Sequence, residues 1–346
     1  MLFFFVVIAT AFINKRPIHK LTYLKLTVPQ GWPEPTSYVF ANNPLTEEGF
    51  QLGRQLFYDG ILSKDGNFSC AGCHQQFAAF ANFDHDFSHG FDNSFTTRNA
   101  PGLFNIAWQN ELHWDGSINH IEVQALTPIT AQNEMAETLP YILKKLNTDT
   151  SYIRLFKNAF SDGKINSQHL LKALAQFTGS IQSYNTKYDK VKRGVATFTI
   201  SEALGYKTFS ANCNSCHKEP LFTDNSFRNN GIGNNVKLPD FGRMGITGLS
   251  SDSLKFKVPS LRNCTVTFPY MHDGRIYSLG KVIEHYRIGI DTTQPTLDQL
   301  LRKRLVISDQ QKIDLLSFLM TLKDDIMIKD PRYSQPVNSR ILPSHQ

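Results

Sequence analysis

The sequence lacks an apolar run long enough to cross a membrane comfortably, a stripe of basic residues, and any sustained alternation of apolar and polar residues. Its first apolar stretch, residues 2–13, is shorter than the roughly 20 residues that a spanning helix needs. The net charge of +6 is moderate and its lysines and arginines are scattered, which argues against a nucleic-acid-binding protein. The missing alternation argues against extended strands.

The 346 residues are enough for two globular domains, and 41% of them are apolar. Residues 1–13 resemble the apolar core of a secretory signal, with Ala9-Thr10-Ala11 as a small-residue cleavage site, although no positive charge precedes them. We therefore expect export to the periplasm. The alternative is that residues 1–13 form an uncleaved N-terminal anchor.

Cysteines are few, and four of the five lie in two pentapeptides, CAGCH (70–74) and CNSCH (213–217). In a CxxCH motif both sulfurs can bond one porphyrin edge while the histidine turns onto the iron. The sequence thus predicts two covalently bound c-type haems. The attachment residues are Cys70, Cys73, His74, Cys213, Cys216 and His217. A zinc site built from the two CxxC pairs is the alternative, but zinc requires no histidine after the second cysteine.

A helix with a capping signal precedes each CxxCH motif. We expect Thr46 to cap a helix that buries Phe50, Leu56 and Phe57, and Ser201 to cap a helix that carries Leu204 and Phe209. The chain therefore contains a degenerate repeat of helix, short loop and CxxCH.

Two further helices are predicted. Apolar residues at helical spacing indicate one long helix across about 166–191, and Ser308 with Gln311 forms a capping box for a closing helix. The closing helix has a predicted buried face, made of Ile313, Leu316, Leu319 and Met320. A loop around Lys192, Arg193 and Gly194 makes a natural domain boundary.

The predicted fold is all-α, with two cytochrome c-like domains and long loops that line the haems. The first domain spans residues 40–192 and the second spans residues 195–330.

Several ordered stretches between and after the haem motifs point to one family. They are SHG (88–90), RNAP (98–101), HWDG (113–116), EVQ (122–124), NEM (133–135), VPSLRN (258–263) and PYMHDG (269–274). From about residue 44 to residue 322 the chain resembles the bacterial dihaem cytochrome c peroxidases and their relative MauG.

The resemblance implies that the haem at His74 is the peroxide site. In the family a glutamine and a glutamate lie ten and twenty residues after the tryptophan of the WDG motif, and from Trp114 these positions are Gln124 and Glu134. A carboxyl over the iron can take a proton from the inner peroxide oxygen and return it to the outer one. Glu134 is thus the expected acid–base group, and Gln124 is expected to orient the peroxide.

The resemblance also places Trp114 between the two haems, as a route for electrons. It further implies one calcium ion near the haem–haem interface, bound by Asn99 and by backbone carbonyls of Thr267 and Pro269, a donor set that suits a hard cation. Members of the family are often homodimers, so a homodimer is one expected arrangement.

Two axial positions separate the peroxidases from MauG. The peroxidases have a methionine fourteen residues after the histidine of the HDG motif, whereas this chain has Tyr286, as MauG does; Met271 and His285 lie nearby as alternatives. In the peroxidases a loop histidine caps the resting peroxide haem, and His89 of SHG is its expected counterpart. His85 is then expected to be a solvated loop residue.

Three functions remain in view. The leading prediction is a periplasmic peroxidase that reduces hydrogen peroxide with electrons from a small c-type cytochrome or a cupredoxin. The second is a MauG-like oxidase that modifies a residue of a partner protein, which Tyr286 favours and His89 opposes. The third is a dihaem electron carrier without turnover, which would leave Gln124 and Glu134 without a purpose.

Overall fold

The structure is a computed structural model that describes residues 20–36 and 39–337. Helices joined by long irregular loops make up most of its regular structure. The α-helices are α1 (Glu47–Tyr58), α2 (Cys70–Cys73), α3 (Ile121–Gln124), α4 (Leu126–Thr130), α5 (Leu139–Thr148), α6 (Thr150–Ala159), α7 (Ser167–Gly179), α8 (Lys187–Lys192), α9 (Ile200–Asn212), α10 (Met244–Thr247), α11 (Leu279–Glu284) and α12 (Asp309–Met320).

Short elements fill the loops between these helices. Two-residue strands, β1 (Phe227–Arg228) and β2 (Phe256–Lys257), pair antiparallel. Turns of 3-10 helix lie at Gly60–Leu62, Gln76–Ala78, Phe91–Asn93, Ile106–Trp108, Ser250–Asp252, Gln299–Leu301 and Met327–Lys329, and a π-helical turn lies at His285–Gly289. The prediction of a largely helical protein with long loops is confirmed for the described residues.

The helix before the first CxxCH motif packs against α7 at very short range. Thr46 caps α1 as predicted, since its hydroxyl accepts a hydrogen bond from Gly49 N at 3.1 Å. A Cβ atom at Gly53 would lie 2.0 Å from the carbonyl oxygen of Ala173. Only glycine allows the two helices to approach so closely.

The helix before the second motif repeats this arrangement. A Cβ atom at Gly205 in α9 would lie 1.9 Å from the carbonyl oxygen of Asp314 in α12. The helix that leads into each CxxCH motif therefore packs on a later helix through a glycine. The connections differ: residues 59–69 separate α1 from the first motif, whereas α9 runs directly into Cys213.

Thr199, and not Ser201, caps α9. The Thr199 hydroxyl accepts a hydrogen bond from Glu202 N, and the Glu202 carboxylate accepts one from Thr199 N at 2.7 Å. Ser201 instead donates to Asp314 Oδ1 at 2.6 Å. The prediction was wrong by two residues because the capping box in TISE begins at its threonine.

The long helix predicted across 166–191 is two helices. After α7 ends, Asn105 forms a hydrogen bond with each backbone group of Ser183, at 2.9 Å to its N–H and 3.0 Å to its carbonyl oxygen. The backbone at residues 181–185 has no regular secondary structure. Thr186 then caps α8 through a capping box with Asp189.

The closing helix is present with its predicted capping box, and its buried face includes Leu319 as predicted, but the rest of that face is different. Ile313 and Met320 are 55% and 67% exposed, while Leu315 and Phe318 are buried. Asp314 faces α9 at the close contact with Gly205, and this sets the rotation of the helix about its axis.

The buried apolar residues form two main clusters. The first gathers α1, α6 and α7, and the second gathers α9, α12 and the region around Phe222. Met327 and Ile328 return to the first cluster, although the predicted second domain extends to residue 330. The two ends of the described chain therefore meet on the N-terminal half.

A buried ion pair joins α8 to the segment that follows β2. Arg262 is fully buried and donates to both carboxylate oxygens of Asp189, at 2.7 and 2.8 Å, and also to the carbonyl oxygen of Pro220. Burial alone would raise the pKa of Asp189, but the hydrogen bonds and charge of Arg262 outweigh it and hold that pKa below its ordinary value.

In the described part of the chain, no helix is both long and apolar enough to cross a membrane. The predicted signal or anchor, residues 1–13, lies outside the described residues.

Replacing Arg262 with methionine should destabilise the protein by about 3–5 kcal/mol, because it leaves the Asp189 carboxylate buried without a positive charge beside it, although its hydrogen bonds from Thr186 remain. The free energy of unfolding in guanidinium chloride measures this loss. Arg287→Met is the control: one of its partners, Asp309, is 88% exposed, and the expected change is below about 1 kcal/mol. Equal unfolding midpoints for Arg262→Met and the wild type would contradict the assignment.

Candidate active site

A cavity in the N-terminal half brings together six of the residues predicted for the peroxide site. It has about 680 Å³ of empty space, part of which is open solvent. Its apolar wall includes Phe57, Leu103, Ile121 and Leu174. Its polar lining residues are Cys70, Cys73, His74, His89, Gln124 and Glu134. We call this space the N-terminal cavity.

The first CxxCH motif forms a single helical turn, α2, at the wall of the N-terminal cavity. His74 ends the turn, and its N–H donates to the carbonyl oxygen of Cys70 at 2.9 Å. Nδ1 of His74 donates to the carbonyl oxygen of Phe80 at 2.8 Å. Burial lowers the pKa of His74, so the ring is neutral near pH 7 and its Nε2 lone pair is free to bind a metal.

Glu134 reaches the cavity from the loop after α4. Burial raises the pKa of its carboxyl group above the ordinary value of a glutamate. The SHG loop packs on this loop: Phe91 N donates to the carbonyl oxygen of Glu134 at 2.7 Å, and a Cβ atom at Gly90 would lie 2.1 Å from the carbonyl oxygen of Asn133. The backbone at Glu134 is thus held by the segment that carries His89.

His89 lines the N-terminal cavity while remaining exposed to solvent. Its backbone pairs with that of Phe95 in an isolated bridge, and the two rings lie 4.8 Å apart. His85 is also exposed, and its ring contacts the carbonyl oxygen of Phe83 at 3.2 Å. Of the two histidines, His89 is the one that the structure brings to the cavity.

Gln124 closes α3 and points its amide toward a second side chain that the sequence did not single out. Its Nε2 lies 3.4 Å from Nε2 of His113, and Nδ1 of His113 lies 3.0 Å from the hydroxyl oxygen of Ser117. His113 stands directly before Trp114 in the HWDG motif. Its place in that motif is the one sequence feature that could have identified it as a candidate site residue.

Trp114 lies where the N-terminal and C-terminal halves meet. Its indole N–H donates to the carbonyl oxygen of Asn99 at 2.8 Å, and its own carbonyl oxygen accepts from Lys257 N of β2 at 2.7 Å. Arg98 strengthens the same junction by binding Asp115 and Asp240, each at 2.6 Å. Trp114 is therefore fixed from both halves.

The residues predicted to bind calcium lie beside this junction. Asn99 N donates to the carbonyl oxygen of His272 at 2.8 Å, which places Asn99 against the segment that contains Thr267 and Pro269. The Asn99 amide nitrogen donates to the carbonyl oxygens of His85 and Asp86, both at 3.2 Å. Its side-chain oxygen is a suitable ligand for a hard cation.

The second CxxCH motif follows α9 within the second apolar cluster. His217 N donates to the carbonyl oxygen of Cys213 at 2.9 Å, and Nδ1 of His217 lies 3.1 Å from the carbonyl oxygen of Pro259 and 3.4 Å from that of Phe222. Burial lowers the pKa of His217. This ring, like that of His74, is neutral and keeps Nε2 free.

Tyr286 sits in the π-helical turn after α11, near the second motif. Burial raises the pKa of its hydroxyl group to about 12; the Asn230 amide opposes this rise, and the thiols of Cys213 and Cys216 add to it. Asn230 also donates to the sulfur of Met271 at 3.3 Å, and its carbonyl oxygen contacts the His285 ring at 3.0 Å. Asn230, which lies in an irregular loop, was not singled out in the sequence.

Both motifs fit a covalently attached haem. Each supplies two thiols and an imidazole whose Nδ1 is occupied by a backbone carbonyl, and the N-terminal cavity adds an apolar wall beside these groups. Cys70 packs with the first apolar cluster and Cys213 with the second, so the four cysteines do not gather into one zinc site. Burial raises the pKa of the Cys70 and Cys213 thiols to about 12.

Comparisons with known proteins agree with this arrangement. The model of the family described as di-haem cytochrome c peroxidase matches residues 47–197. The chain is 34% identical over 301 residues to the methylamine utilization protein MauG of Methylorubrum extorquens, covering 85% of this chain and 82% of that protein. It is 29% identical over 309 residues to the cytochrome c551 peroxidase of Nitrosomonas europaea, covering 88% and 87%.

A solved structure gives the same result. The crystal structure of a MauG-like protein associated with microbial copper homeostasis superposes with a TM-score of 0.84 at 31% identity, covering 90% of this chain and 99% of that one. The fold, the two CxxCH motifs and these relatives agree, and the chain belongs to the dihaem cytochrome c peroxidase and MauG family of peroxidase-type oxidoreductases.

Proposed function

We propose that this protein reduces hydrogen peroxide to water at a haem held by Cys70, Cys73 and His74. The observation that carries the proposal is the N-terminal cavity, where Gln124 and Glu134 line the same space as the first CxxCH motif. The reaction consumes one peroxide, two electrons and two protons and releases two waters. The haem, when bound, supplies the redox centre at which the O–O bond is cleaved.

Glu134 moves the proton in this proposal. Its carboxylate accepts the proton of the peroxide oxygen nearer the iron and delivers it to the outer oxygen, which leaves as water. The burial that raises the pKa of Glu134 suits both steps, because a carboxyl with a raised pKa is a stronger base than an exposed one. Gln124 orients the peroxide through its amide.

The second motif would hold the electron-transfer haem through Cys213, Cys216 and His217. That group would take electrons from a small c-type cytochrome or a cupredoxin, and Trp114 would link it to the first site. The contacts of Trp114 with both halves of the chain support this role.

We further propose that the protein works in the periplasm and that a calcium ion binds at Asn99, Thr267 and Pro269.

His89 acts as the gate of the site. Its exposed side chain lines the N-terminal cavity, so it would be able to close the cavity in the resting protein and to leave on activation. Its removal opens the cavity to peroxide.

Replacing both Cys70 and Cys73 with alanine should reduce the covalent haem content from two to one per chain. The intact mass of the purified protein and its alkaline pyridine spectrum measure this change. Cys264→Ala is the matched control, since Cys264 is a buried cysteine outside both motifs and its loss should leave two haems. Two haems in the double variant would refute the attachment site.

Glu134→Gln should lower kcat for peroxide-dependent oxidation of a reduced c-type cytochrome by about 10²–10⁴-fold, because it removes the proton acceptor. Stopped-flow absorbance of the cytochrome measures this rate. Glu122→Gln, in α3 outside the lining of the cavity, is the control and should keep wild-type turnover. Undiminished turnover in Glu134→Gln would reject the assigned role.

The wild-type rate should fall on acidification because Glu134 must be ionised to accept the proton. Its pKa is raised, so the fall should be centred above the ordinary glutamate value of about 4.3. The pH profile of kcat/KM for peroxide, measured alongside Glu134→Gln, gives the midpoint; a midpoint at or below the ordinary value would contradict the raised pKa.

A MauG-like oxidase that modifies a partner protein is the second candidate. Tyr286 favours it: the side chain is near Cys213 and Cys216, and a tyrosine ligand donates charge and stabilises oxidised iron. His89 at the cavity opposes it, because MauG keeps its peroxide haem open.

Tyr286→Phe tests the ligand assignment on which this second candidate depends. Loss of the phenolic oxygen should shift the absorption and electron paramagnetic resonance signals of the second ferric haem and leave those of the first unchanged. Tyr277→Phe, at an exposed tyrosine, serves as the control. Identical spectra for Tyr286→Phe and the wild type would exclude Tyr286 as a ligand.

A further inference from the structure

The contact between His113 and Gln124 allows a specific arrangement of hydrogen atoms. The facing atoms, Nε2 of each side chain, are 3.4 Å apart. An amide nitrogen can only donate, so Nε2 of His113 must accept. A neutral imidazole that accepts at Nε2 carries its proton at Nδ1, and Nδ1 then donates to the Ser117 hydroxyl 3.0 Å away.

In this orientation the amide nitrogen of Gln124 faces the His113 ring. The reversed amide would place Oε1 there and would need the other tautomer, with Nε2 of His113 protonated and the Ser117 hydroxyl donating to Nδ1. With one N–H of Gln124 held by His113, the second N–H and Oε1 remain for other partners. His113 thus holds one end of the amide at the wall of the N-terminal cavity.

The imidazole is neutral at physiological pH, as an acceptor must be. Burial lowers the pKa of His113 to about 4; Asp115 opposes this shift, and the positive charges of Lys257 and Arg98 reinforce it. Both ring nitrogens already have partners, so the ring is not available as an iron ligand.

The position of the ring is fixed by a rigid loop. His113 adopts a left-handed backbone conformation with φ of 65°, which is uncommon for a residue with a side chain. Leu112 N donates to the carbonyl oxygen of Ile118 at 2.6 Å, which closes the loop, and Trp114 inside it is held from both halves of the chain. Gly116, with φ of 71°, would clash with Phe227 if it carried a Cβ atom.

We propose that His113 is a positioning residue that orients the amide of Gln124 toward peroxide in the N-terminal cavity. The inference rests on the proposed peroxidase function. It adds a specific role to the first residue of the HWDG motif, which acts on the substrate only through Gln124.

The first test compares His113→Leu with His113→Gln in the holoprotein. Leucine removes the acceptor, and we expect kcat/KM for peroxide to fall about three- to tenfold, the usual value of one hydrogen bond. Glutamine can place its Oε1 near the position of the imidazole Nε2 and should stay within about twofold of the wild type. His169→Leu is the control for loss of a histidine. The His169 ring stacks on Phe160, and it is distant in sequence from both His113 and Gln124.

The second test asks whether His113 acts through Gln124. In a Gln124→Leu background, His113→Leu should have no further effect on kcat/KM, since the amide to be oriented is gone. An equal fall in both backgrounds would overturn the proposal and would indicate a general structural role. If the leucine variant does not fold, His113→Gln and His113→Asn replace it, because the shorter asparagine cannot reach the Nε2 position and should lose activity.

A binding measurement separates failure of this inference from failure of the proposed function. This measurement uses a His89→Ala background, so that the proposed gate does not compete for the site. Fluoride added to this ferric protein accepts hydrogen bonds as peroxide does, and its affinity is read from the absorption spectrum without turnover. We expect His113→Leu to weaken fluoride binding about three- to tenfold and His113→Gln to preserve it. An unchanged affinity would refute the role of His113, whereas absent peroxide turnover in the wild type with altered fluoride affinity would refute only the peroxidase proposal.

Discussion

The buried pair of Arg262 and Asp189 is the constraint on which the C-terminal half depends. Arg262 lies in the same short segment as Pro259, whose carbonyl oxygen contacts the His217 ring, and it also binds the carbonyl oxygen of Pro220. One guanidinium therefore fixes α8, the turn after the second CxxCH motif and the loop that orients its histidine. An uncompensated carboxylate in the interior is costly, so loss of this guanidinium would weaken the contacts among all three elements.

The same device orients both haem-binding histidines. His74 and His217 each offer Nδ1 to a backbone carbonyl, supplied by Phe80 in one case and by Pro259 and Phe222 in the other. Backbone carbonyls hold each ring without adding charge. The other residues near the two motifs differ: Gln124 and Glu134 line the cavity at the first, and Tyr286 lies near the cysteines of the second. The proposed function assigns the different chemistry of the two halves to these residues.

The sequence was informative where short-range rules apply and less so where distant contacts decide. The CxxCH motifs, the Thr46 cap and the capping box at Ser308 are local patterns, and the structure has the last two as predicted. The break after α7 could not be predicted, because it depends on Asn105, which is distant in sequence. The buried face of α12 was predicted only in part, with Leu319 correct and Ile313 and Met320 wrong, because the contact with Gly205 on another helix could not be read from local spacing. The contact between His113 and Gln124 could not be predicted either, because it depends on how the fold places the HWDG loop beside α3.

The close packing of Gly90 against Asn133 has a dynamic consequence. The loop that carries His89 and the loop that carries Glu134 share a backbone hydrogen bond and leave no space between them at this glycine. A movement of the backbone at Gly90 and Phe91 must either break that bond or carry the Glu134 backbone with it. In the proposed function, a backbone movement that opens the cavity would therefore also move the proton acceptor.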